Sequence, residues 1–184
     1  MPGVIRTRVG FTGGTLKNPT YYRLGDHTET LQIDFDPAVT SYEKLLEVYW
    51  SIPNHCATPN NRQYMSAIFY ANDAQKKLAL DTRDKAVAKS KPRLPIYVLP
   101  LRDIYLAESY HQKHALRQFP PLLQELAQMY PKETDFLKST AAARINGFVG
   151  GNGTLAQLEQ EIDSLGLSPQ GRNLLLNVVK RYGK

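Results

Sequence analysis

The sequence predicts an α+β fold in which a small β-sheet carries helices on one face. Strand-like and helix-like segments alternate from Val4 to Leu99, which is the pattern of a two-layer α+β domain. From Pro120 onwards the apolar positions have only helical character, without a convincing strand. These two observations divide the chain into an α+β domain, residues 1–130, and a helical C-terminal extension, residues 131–184.

The first part of the α+β domain contains two predicted strands. Residues 4–9 are β-prone, and the glycine-rich sequence GFTGG at residues 10–14 ends them. Gly13 and Gly14 suit a tight turn, because glycine adopts positive φ at little energetic cost. In residues 31–35 apolar and polar side chains alternate, which is typical of a half-buried strand.

The clearest predicted helix follows this second strand. Thr40 and Glu43 have the spacing of a capping box, in which side chains satisfy free backbone amides at the start of a helix. Apolar residues from Tyr42 to Trp50 then recur on one helical face. The helix is expected to end before Pro53.

A strand, a helix and another strand complete the predicted domain. Residues 64–70 are a β-prone run. Asn72 or Asp73 can cap a helix that continues to about Lys89. Residues 96–99 are the last predicted strand.

The C-terminal extension consists of predicted helices. The glycine-rich sequence GFVGGNG, residues 147–153, is interpreted as a hinge between two of them. Ser168 and Pro169 suit the N-cap and the first turn of the last helix.

Composition and charge indicate a globular protein and exclude several classes. The net charge of +6 is spread along the 184 residues. Residues 85–93 suit a solvated helix end better than a nucleic-acid patch. No apolar run reaches the roughly 18 residues of a membrane span, and a single cysteine, Cys56, excludes an internal disulfide framework and a cysteine-only zinc site. We therefore expect a cytoplasmic monomer without a metal or another cofactor.

Three ordered segments carry a resemblance to a known family. They are residues 2–29, with GFTGG, NPTY and HTE; residues 36–66, with SYEKLLEVYW, NH and RQYMS; and residues 107–112, AESYHQ. Together, over residues 2–115, they resemble the A-type peptide methionine sulfoxide reductases. The resemblance implies a two-layer ferredoxin-like plait, and an enzyme that reduces methionine sulfoxide and so repairs proteins after oxidation.

The resemblance also implies roles for single residues. In sulfoxide reduction a thiolate or selenolate attacks the sulfur, and the oxygen leaves as water once it is protonated. Glu29 matches the family's acid, and Tyr21 and Tyr64 match its two hydroxyl donors. Without the resemblance, Glu29 would be interpreted as a solvated residue and the tyrosines as packing residues.

Five more positions match the family's pocket: Gly13, Gly14, His27, Gln63 and His111. For the two histidines a structural, hydrogen-bonded role is the preferred interpretation. The implied partners are methionine sulfoxide in peptides or proteins and a thioredoxin-like reductant. Nucleic acid and membrane are not expected.

The family's nucleophile motif, Gly-Cys-Phe-Trp-Gly, does not occur in these 184 residues. Residues 2–4 resemble the turn that follows the motif's strand and helix, so the expected plait lacks its first βα unit. A natural short form and a truncated sequence are both compatible with this. Truncation is favoured, because losing a strand and a helix would expose more apolar surface than a marginally stable domain tolerates. A selenocysteine codon read as a stop would explain a start at Met1, and the chain as it stands is expected to be inactive.

Two further positions depart from the family. Pro59 replaces an aspartate that precedes the active-site tyrosine. Cys56 takes the aspartate position of an Asn-His-Asp turn, where it is either a resolving thiol or a small, semi-buried residue. Two other functions also stay open: a non-catalytic binding protein that acts through a vestigial pocket and the helical tail, and, with less support, an RNA-associated module.

Overall fold

The computed structural model describes residues 1–52, 61–89 and 95–182, and these residues have a mixed α/β architecture. The strands are β1 (Val4–Thr12), β2 (Thr28–Phe35), β3 (Ala67–Tyr70), β4 (Tyr97–Pro100) and β5 (Tyr105–Leu106). The helices are α1 (Tyr42–Ser51), α2 (Asp73–Lys89), α3 (His114–Arg117), α4 (Pro120–Met129), α5 (Glu133–Lys138), α6 (Thr140–Val149), α7 (Leu155–Glu161) and α8 (Pro169–Arg181). Short 3₁₀ turns occupy Ser109–His111 and Ile162–Leu165.

The described strands form two small sheets. One has the order β2-β1-β5, and β5 runs antiparallel to β1, with Gly10 opposite Leu106. The other pairs β3 with β4 in parallel, with Ala67 opposite Tyr97. The predicted mixture of strands and many helices is confirmed, whereas the ferredoxin-like plait, which has one sheet, is not confirmed by this pairing.

The chain forms two compact units. The helical unit comprises residues 1–8, 32–36 and 109–184, and the α/β unit comprises residues 9–31 and 37–108. The boundary at residue 130 stays a prediction. None of the described helices is long and apolar enough to cross a membrane.

A single apolar cluster organises the helical unit. Its fully buried members include Leu122 and Leu126 of α4, Ile145 of α6 and Leu175 of α8. The predicted start of α8 is confirmed: the Ser168 hydroxyl accepts a hydrogen bond from the Gly171 amide at 3.1 Å, and Pro169 occupies the first turn. The helices therefore bury their apolar faces against one another, which supplies most of their stability.

Helix α1 of the α/β unit begins differently from the prediction. Its N-cap is Ser41, whose side chain accepts from the Lys44 amide at 3.3 Å. The predicted capping box of Thr40 and Glu43 is therefore wrong. Thr40 is buried instead, and its hydroxyl has no hydrogen-bond partner among the described residues.

The other elements of the α/β unit follow the sequence pattern with small shifts. Asn72 caps α2, since its Oδ1 accepts from the Gln75 amide at 2.9 Å. Strand β3 begins at Ala67 and not at Tyr64, because the preceding residues form a turn. In β2, Leu31 is 56% exposed, so the expected apolar face does not include its side chain.

Candidate active site

Two tyrosines from distant parts of the α/β unit meet at their hydroxyl groups. The Oη atoms of Tyr21 and Tyr64 lie 3.1 Å apart. Tyr21 follows β1 and packs on the buried side chains of Phe11 and Leu24. Tyr64 lies in the turn before β3 and is 45% exposed. Tyr21 is thus held by packing, and Tyr64 is accessible to a ligand.

Gln63 connects this pair to Glu29. Its Nε2 donates to Glu29 Oε1 at 2.7 Å and to Tyr64 Oη at 3.0 Å. The Glu29 amide in turn donates to the Gln63 carbonyl at 3.0 Å. Glu29 is the second residue of β2 and is half-buried. One carboxyl group and two hydroxyl groups are therefore joined in one network.

The turn that carries Gln63 and Tyr64 is attached to the segment before β2. Thr28, which is buried, donates from Oγ1 to the Arg62 carbonyl at 3.1 Å. Arg62 donates from Nε to the Asp26 carbonyl at 2.9 Å and from Nη2 to the Gly13 carbonyl at 3.2 Å. Three chain segments thus meet at one guanidinium group, which the sequence did not single out.

The two glycines of the GFTGG turn allow close approach. Gly13 has a φ of +84°, which a residue with a side chain rarely adopts. A Cβ on Gly14 would lie 2.5 Å from Asp26 Oδ1 and 2.7 Å from the His27 amide nitrogen. Both glycines therefore serve the geometry of the loop that leads to the candidate site.

The buried ring of His27 contacts the backbone of the loop that contains Gly14 and Leu16. Its Nδ1 accepts a hydrogen bond from the Gly14 amide at 3.2 Å. Its Nε2 lies 2.8 Å from the Leu16 carbonyl and must carry the proton, because a carbonyl only accepts. The ring is 1% exposed. This geometry gives His27 a loop-holding position.

Asp26 secures the same loop from its exposed side. Its carboxylate accepts from the Thr15 amide at 2.8 Å and 2.9 Å, from the Thr15 hydroxyl at 3.0 Å and from the Leu16 amide at 3.3 Å. These donors, chiefly the Thr15 amide, hold the pKa of Asp26 well below its usual range. The carboxylate consequently stays ionised and keeps its partners at neutral pH.

Glu108 fixes the backbone of Tyr21. Its Oε1 accepts from the Tyr21 amide at 3.0 Å. Its Oε2 is buried without a hydrogen-bond partner in the part of the chain that the structure describes. Glu108 belongs to the segment AESYHQ, whose sequence indicated no role for it. Its separation from Tyr21 along the chain explains why no local pattern indicated this contact.

The site environment favours the protonated form of Tyr64. The hydrogen bond with Tyr21, followed by desolvation and the negative charge of Glu29, raises the pKa of Tyr64 to about 12. A phenol that keeps its proton acts as a hydrogen-bond donor and not as a base. The arrangement can therefore donate hydrogen bonds to an oxygen atom that gains negative charge.

Three candidate residues remain: His111, Cys56 and Pro59. His111 belongs to the helical unit, where its ring contacts that of Tyr110 with centroids 4.2 Å apart. Cys56 and Pro59 lie outside the described residues. Within the described ranges, no group of three or more histidine, cysteine, aspartate or glutamate side chains is arranged to hold a metal ion.

Two family models match the chain. Residues 1–145 match the model described as peptide methionine sulfoxide reductase. Residues 132–180 match the model described as the helical domain of selenoprotein methionine sulfoxide reductase A.

Curated relatives share this similarity. A peptide methionine sulfoxide reductase of Drosophila melanogaster is 37% identical over 174 residues, which is 92% of this chain and 69% of the relative. The peptide methionine sulfoxide reductase A5 of Oryza sativa subsp. japonica is 36% identical over 154 residues. The match covers 80% of this chain and 60% of the rice protein, so this chain spans less than two thirds of that relative.

Solved structures resemble the fold. Methionine sulfoxide reductase A of Corynebacterium diphtheriae has a TM-score of 0.52 and 28% identity, and the match covers 65% of this chain and 66% of that chain. Reduced Mxr1 from Saccharomyces cerevisiae has a TM-score of 0.58, and the match covers 64% of this chain and 73% of that chain. At 22% identity, the yeast structure supports the fold alone.

Proposed function

Because the chain belongs to the peptide methionine sulfoxide reductase A family, we propose that it binds methionine sulfoxide in peptides or proteins and serves in the reduction of the sulfoxide to methionine. Glu29 is the acid that protonates the sulfoxide oxygen, and Tyr21 and Tyr64 are the hydroxyl donors that polarise it. The reductant is a thioredoxin-like thiol.

The observation that carries this proposal is the connection of one carboxyl group to two hydroxyl groups. Gln63 lies within hydrogen-bond distance of both Glu29, at 2.7 Å, and Tyr64, at 3.0 Å. Tyr64 in turn contacts Tyr21 at 3.1 Å. An acid next to two hydroxyl donors suits a substrate whose oxygen must be protonated before it leaves.

The chemistry needs two thiols, or a selenol and a thiol, for each sulfoxide. Methionine sulfoxide and two thiols yield methionine, one disulfide and one water. The nucleophile forms a bond to the sulfoxide sulfur while the sulfur–oxygen bond breaks, and the oxygen leaves after it has gained two protons. Gly13, Gly14 and His27 hold the loop that precedes the acid.

The 184 residues contain one cysteine, Cys56. We propose that these residues bind the sulfoxide but do not turn it over when no further nucleophile is supplied. Cys56 has the role of a resolving thiol, which attacks an oxidised nucleophile after the first step. The single cysteine fits a reducing compartment, and we propose a monomer in the cytoplasm.

A binding experiment tests the recognition step. The 184-residue chain is titrated with the S-epimer of N-acetylmethionine sulfoxide and, separately, with N-acetylmethionine, and the amide NMR spectrum is followed. We expect the sulfoxide to bind more tightly and to shift the resonances of Glu29, Tyr21 and Tyr64. Equal binding of the two ligands, or shifts confined to other residues, would contradict the proposed function.

A turnover experiment tests the chemical step. The purified chain is incubated with the sulfoxide and dithiothreitol, and methionine is quantified. We expect no turnover above that of dithiothreitol alone, and a Cys56→Ser variant serves as the matched control. Turnover that Cys56→Ser abolishes would show that Cys56 is itself the nucleophile.

A non-catalytic binding protein is the second candidate function. The position of the sole cysteine, outside the family's nucleophile motif, favours it. The two candidates differ in one respect: a polypeptide that also includes a Gly-Cys-Phe-Trp-Gly segment before Met1 reduces the sulfoxide if the pocket is catalytic and does not if it only binds.

A further inference from the structure

Two Asn-Gly pairs occur in the glycine-rich segment of the helical unit. They are Asn146-Gly147 and Asn152-Gly153, and no other asparagine of the 184 residues precedes a glycine. In such a pair the backbone nitrogen of the glycine can attack the carboxamide carbon of the asparagine, because glycine has no side chain that hinders the approach. The asparagine is then deamidated. The surroundings of the two pairs differ, and this difference decides which asparagine reacts.

The reaction consumes only water. The glycine nitrogen forms a bond to Cγ of the asparagine, the bond between Cγ and Nδ2 breaks, and ammonia leaves with the proton that the glycine nitrogen loses. A cyclic succinimide remains. Water then adds to either ring carbonyl carbon and breaks its bond to the nitrogen, which regains a proton. The product is aspartate, with a normal backbone, or isoaspartate, whose main chain passes through the side-chain carboxyl carbon.

Asn152-Gly153 lies in the connection between α6 and α7, and both residues are exposed. Gly153 has a φ of +97°, and its amide donates no hydrogen bond within the part of the chain that the structure describes. Asn152 Nδ2 donates to the Gly150 carbonyl at 3.2 Å, between exposed groups. Water replaces such a bond at little cost. Both the attacking nitrogen and the carboxamide are therefore available for the reaction.

Asn146-Gly147 is held within α6. Asn146 Oδ1 accepts a hydrogen bond from the Leu116 amide at 3.1 Å, and the Asn146 carbonyl accepts from the Gly150 amide at 3.1 Å. Gly147 lies inside the helix, where helical hydrogen bonds engage the backbone amides. Attack by the Gly147 nitrogen therefore requires α6 to open locally, which slows the reaction in proportion to how rarely the helix opens.

We propose that Asn152 is a site of spontaneous deamidation in the folded protein, and that its conversion to isoaspartate weakens the start of α7. Asn146 is protected by α6. The inference concerns the helical unit and does not depend on the binding of methionine sulfoxide.

The residues that follow Asn152 explain why isoaspartate is harmful. Gly153 is closely packed, since an added Cβ would lie 2.8 Å from Cε1 of Phe148. Thr154 and Gln157 then form a capping box: the Thr154 amide donates to Gln157 Oε1 at 2.9 Å, and the Gln157 amide donates to Thr154 Oγ1 at 3.2 Å. Isoaspartate lengthens the main chain directly before these contacts and displaces them, whereas aspartate keeps the length of the main chain.

The first test compares the two asparagines in one peptide. The folded chain is incubated in mildly alkaline buffer, and samples are digested with trypsin, which releases residues 145–172 with both Asn-Gly pairs. Tandem mass spectrometry locates the acidic product. We expect Asn152 to deamidate more than about tenfold faster than Asn146, because the latter must wait for α6 to open. Equal rates, or no conversion of Asn152, would overturn the proposal.

The same incubation in concentrated urea separates the effect of the fold from that of the neighbouring residues. Unfolding removes the protection of Asn146, so we expect the two asparagines to deamidate at comparable rates. If the preference for Asn152 persists undiminished in urea, the fold does not cause it and the role of α6 is wrong.

The second test measures what the modification does. Deamidation lowers the net charge from +6 to +5, so cation-exchange chromatography separates the products from the unmodified chain. The protease Asp-N, which cleaves before aspartate and not before isoaspartate, identifies each product. We expect the isoaspartate form to unfold at a lower urea concentration than the unmodified chain.

Two variants serve as controls for this test. Asn152→Asp adds the same charge with a normal backbone, and we expect its urea midpoint to stay close to that of the unmodified chain. Asn152→Gln keeps a side-chain amide but forms the ring much less readily, so it should stay a single species during the incubation. Equal midpoints for Asn152→Asp and the isoaspartate form, or the same acidic products from Asn152→Gln, would overturn the inference.

Discussion

The Arg62 guanidinium donates a hydrogen bond to the Gly13 carbonyl across 3.2 Å, between residues 49 positions apart in the chain. Its Nε donates to the Asp26 carbonyl at the same time. Arg62 directly precedes Gln63 and Tyr64, so these two bonds hold the turn of the candidate site against the glycine loop.

We therefore predict that Arg62→Lys disturbs the site more than it destabilises the fold. Lysine lacks the planar fork that reaches two carbonyl groups at once, and the expected loss of unfolding free energy is about 1 kcal/mol. The tyrosine ring resonances of Tyr21 and Tyr64 should shift, and the affinity for the sulfoxide should fall. Arg83→Lys, in α2, is the control. Unchanged resonances and affinity in Arg62→Lys would contradict the prediction.

Even a substitution to alanine at Gly14 is expected to lower stability. An added Cβ would lie 2.7 Å from the His27 amide nitrogen, which belongs to the backbone and cannot easily move. We expect Gly14→Ala to lower the unfolding free energy by about 1–3 kcal/mol, as overpacking does. Urea unfolding monitored by circular dichroism measures this loss.

Gly147 provides a matched control for that substitution. It lies inside α6, and a Cβ there would meet nothing within 4 Å. Alanine favours a helix interior over glycine by about 1 kcal/mol. We therefore expect Gly147→Ala to raise stability, and a similar effect of the two substitutions would contradict the steric explanation for Gly14.

The hydrogen-bonded carboxylate of Asp26 leads us to expect a loss of stability in acid. Its pKa is lowered in the folded state, chiefly by the Thr15 amide. The stabilisation is therefore complete above the unfolded-state pKa of about 4 and is lost as the pH falls towards the folded-state value. Asp26→Asn should remove this dependence. The unfolding free energy of the unchanged protein should therefore fall towards that of Asp26→Asn as the pH is lowered from about 4 to about 2.

Asp81→Asn is the control for this measurement, because Asp81 forms an exposed pair with Lys77 in α2. We expect it to keep the acid dependence of the unchanged protein. Equal slopes against pH for all three proteins would show that the Thr15 contacts do not stabilise the fold.

A further dependence on pH, in the alkaline range, is expected from Lys113. This buried lysine donates to the Thr7 carbonyl and to Thr7 Oγ1, the latter at 3.0 Å. Burial, followed by the positive charge of Arg8, lowers the pKa of Lys113 to about 8. Below that pH the folded protein carries the buried charge, which lowers its stability by up to about 3 kcal/mol.

As the pH rises from about 8 to the unfolded-state pKa of about 10.4, this cost disappears. The unfolding free energy of the unchanged protein should therefore rise relative to that of Lys113→Met over this interval. Urea unfolding at several pH values measures the difference. A difference that stays constant with pH would contradict the prediction.

Local chemistry explains which elements the sequence predicted. Asn72 and Ser168 satisfy amides three residues ahead, and such caps are visible in a short stretch of sequence. The choice between Thr40 and Ser41 was not visible in this way, because both residues can cap a helix. The burial of Thr40 in the folded unit decided it.

The resemblance of ordered motifs to the family indicated Glu29, Tyr21, Gln63 and Tyr64 as candidates, and the family is confirmed. The contacts among them came from the tertiary structure. Tyr21 and Glu108 are separated by 87 positions, and Tyr21 and Tyr64 by 43. Contacts over such separations leave no local periodicity, since they depend on how strands and loops pack. The sequence therefore determined which chemical groups are present, and only the packing of the α/β unit decided that one amide links an acid to a pair of tyrosines.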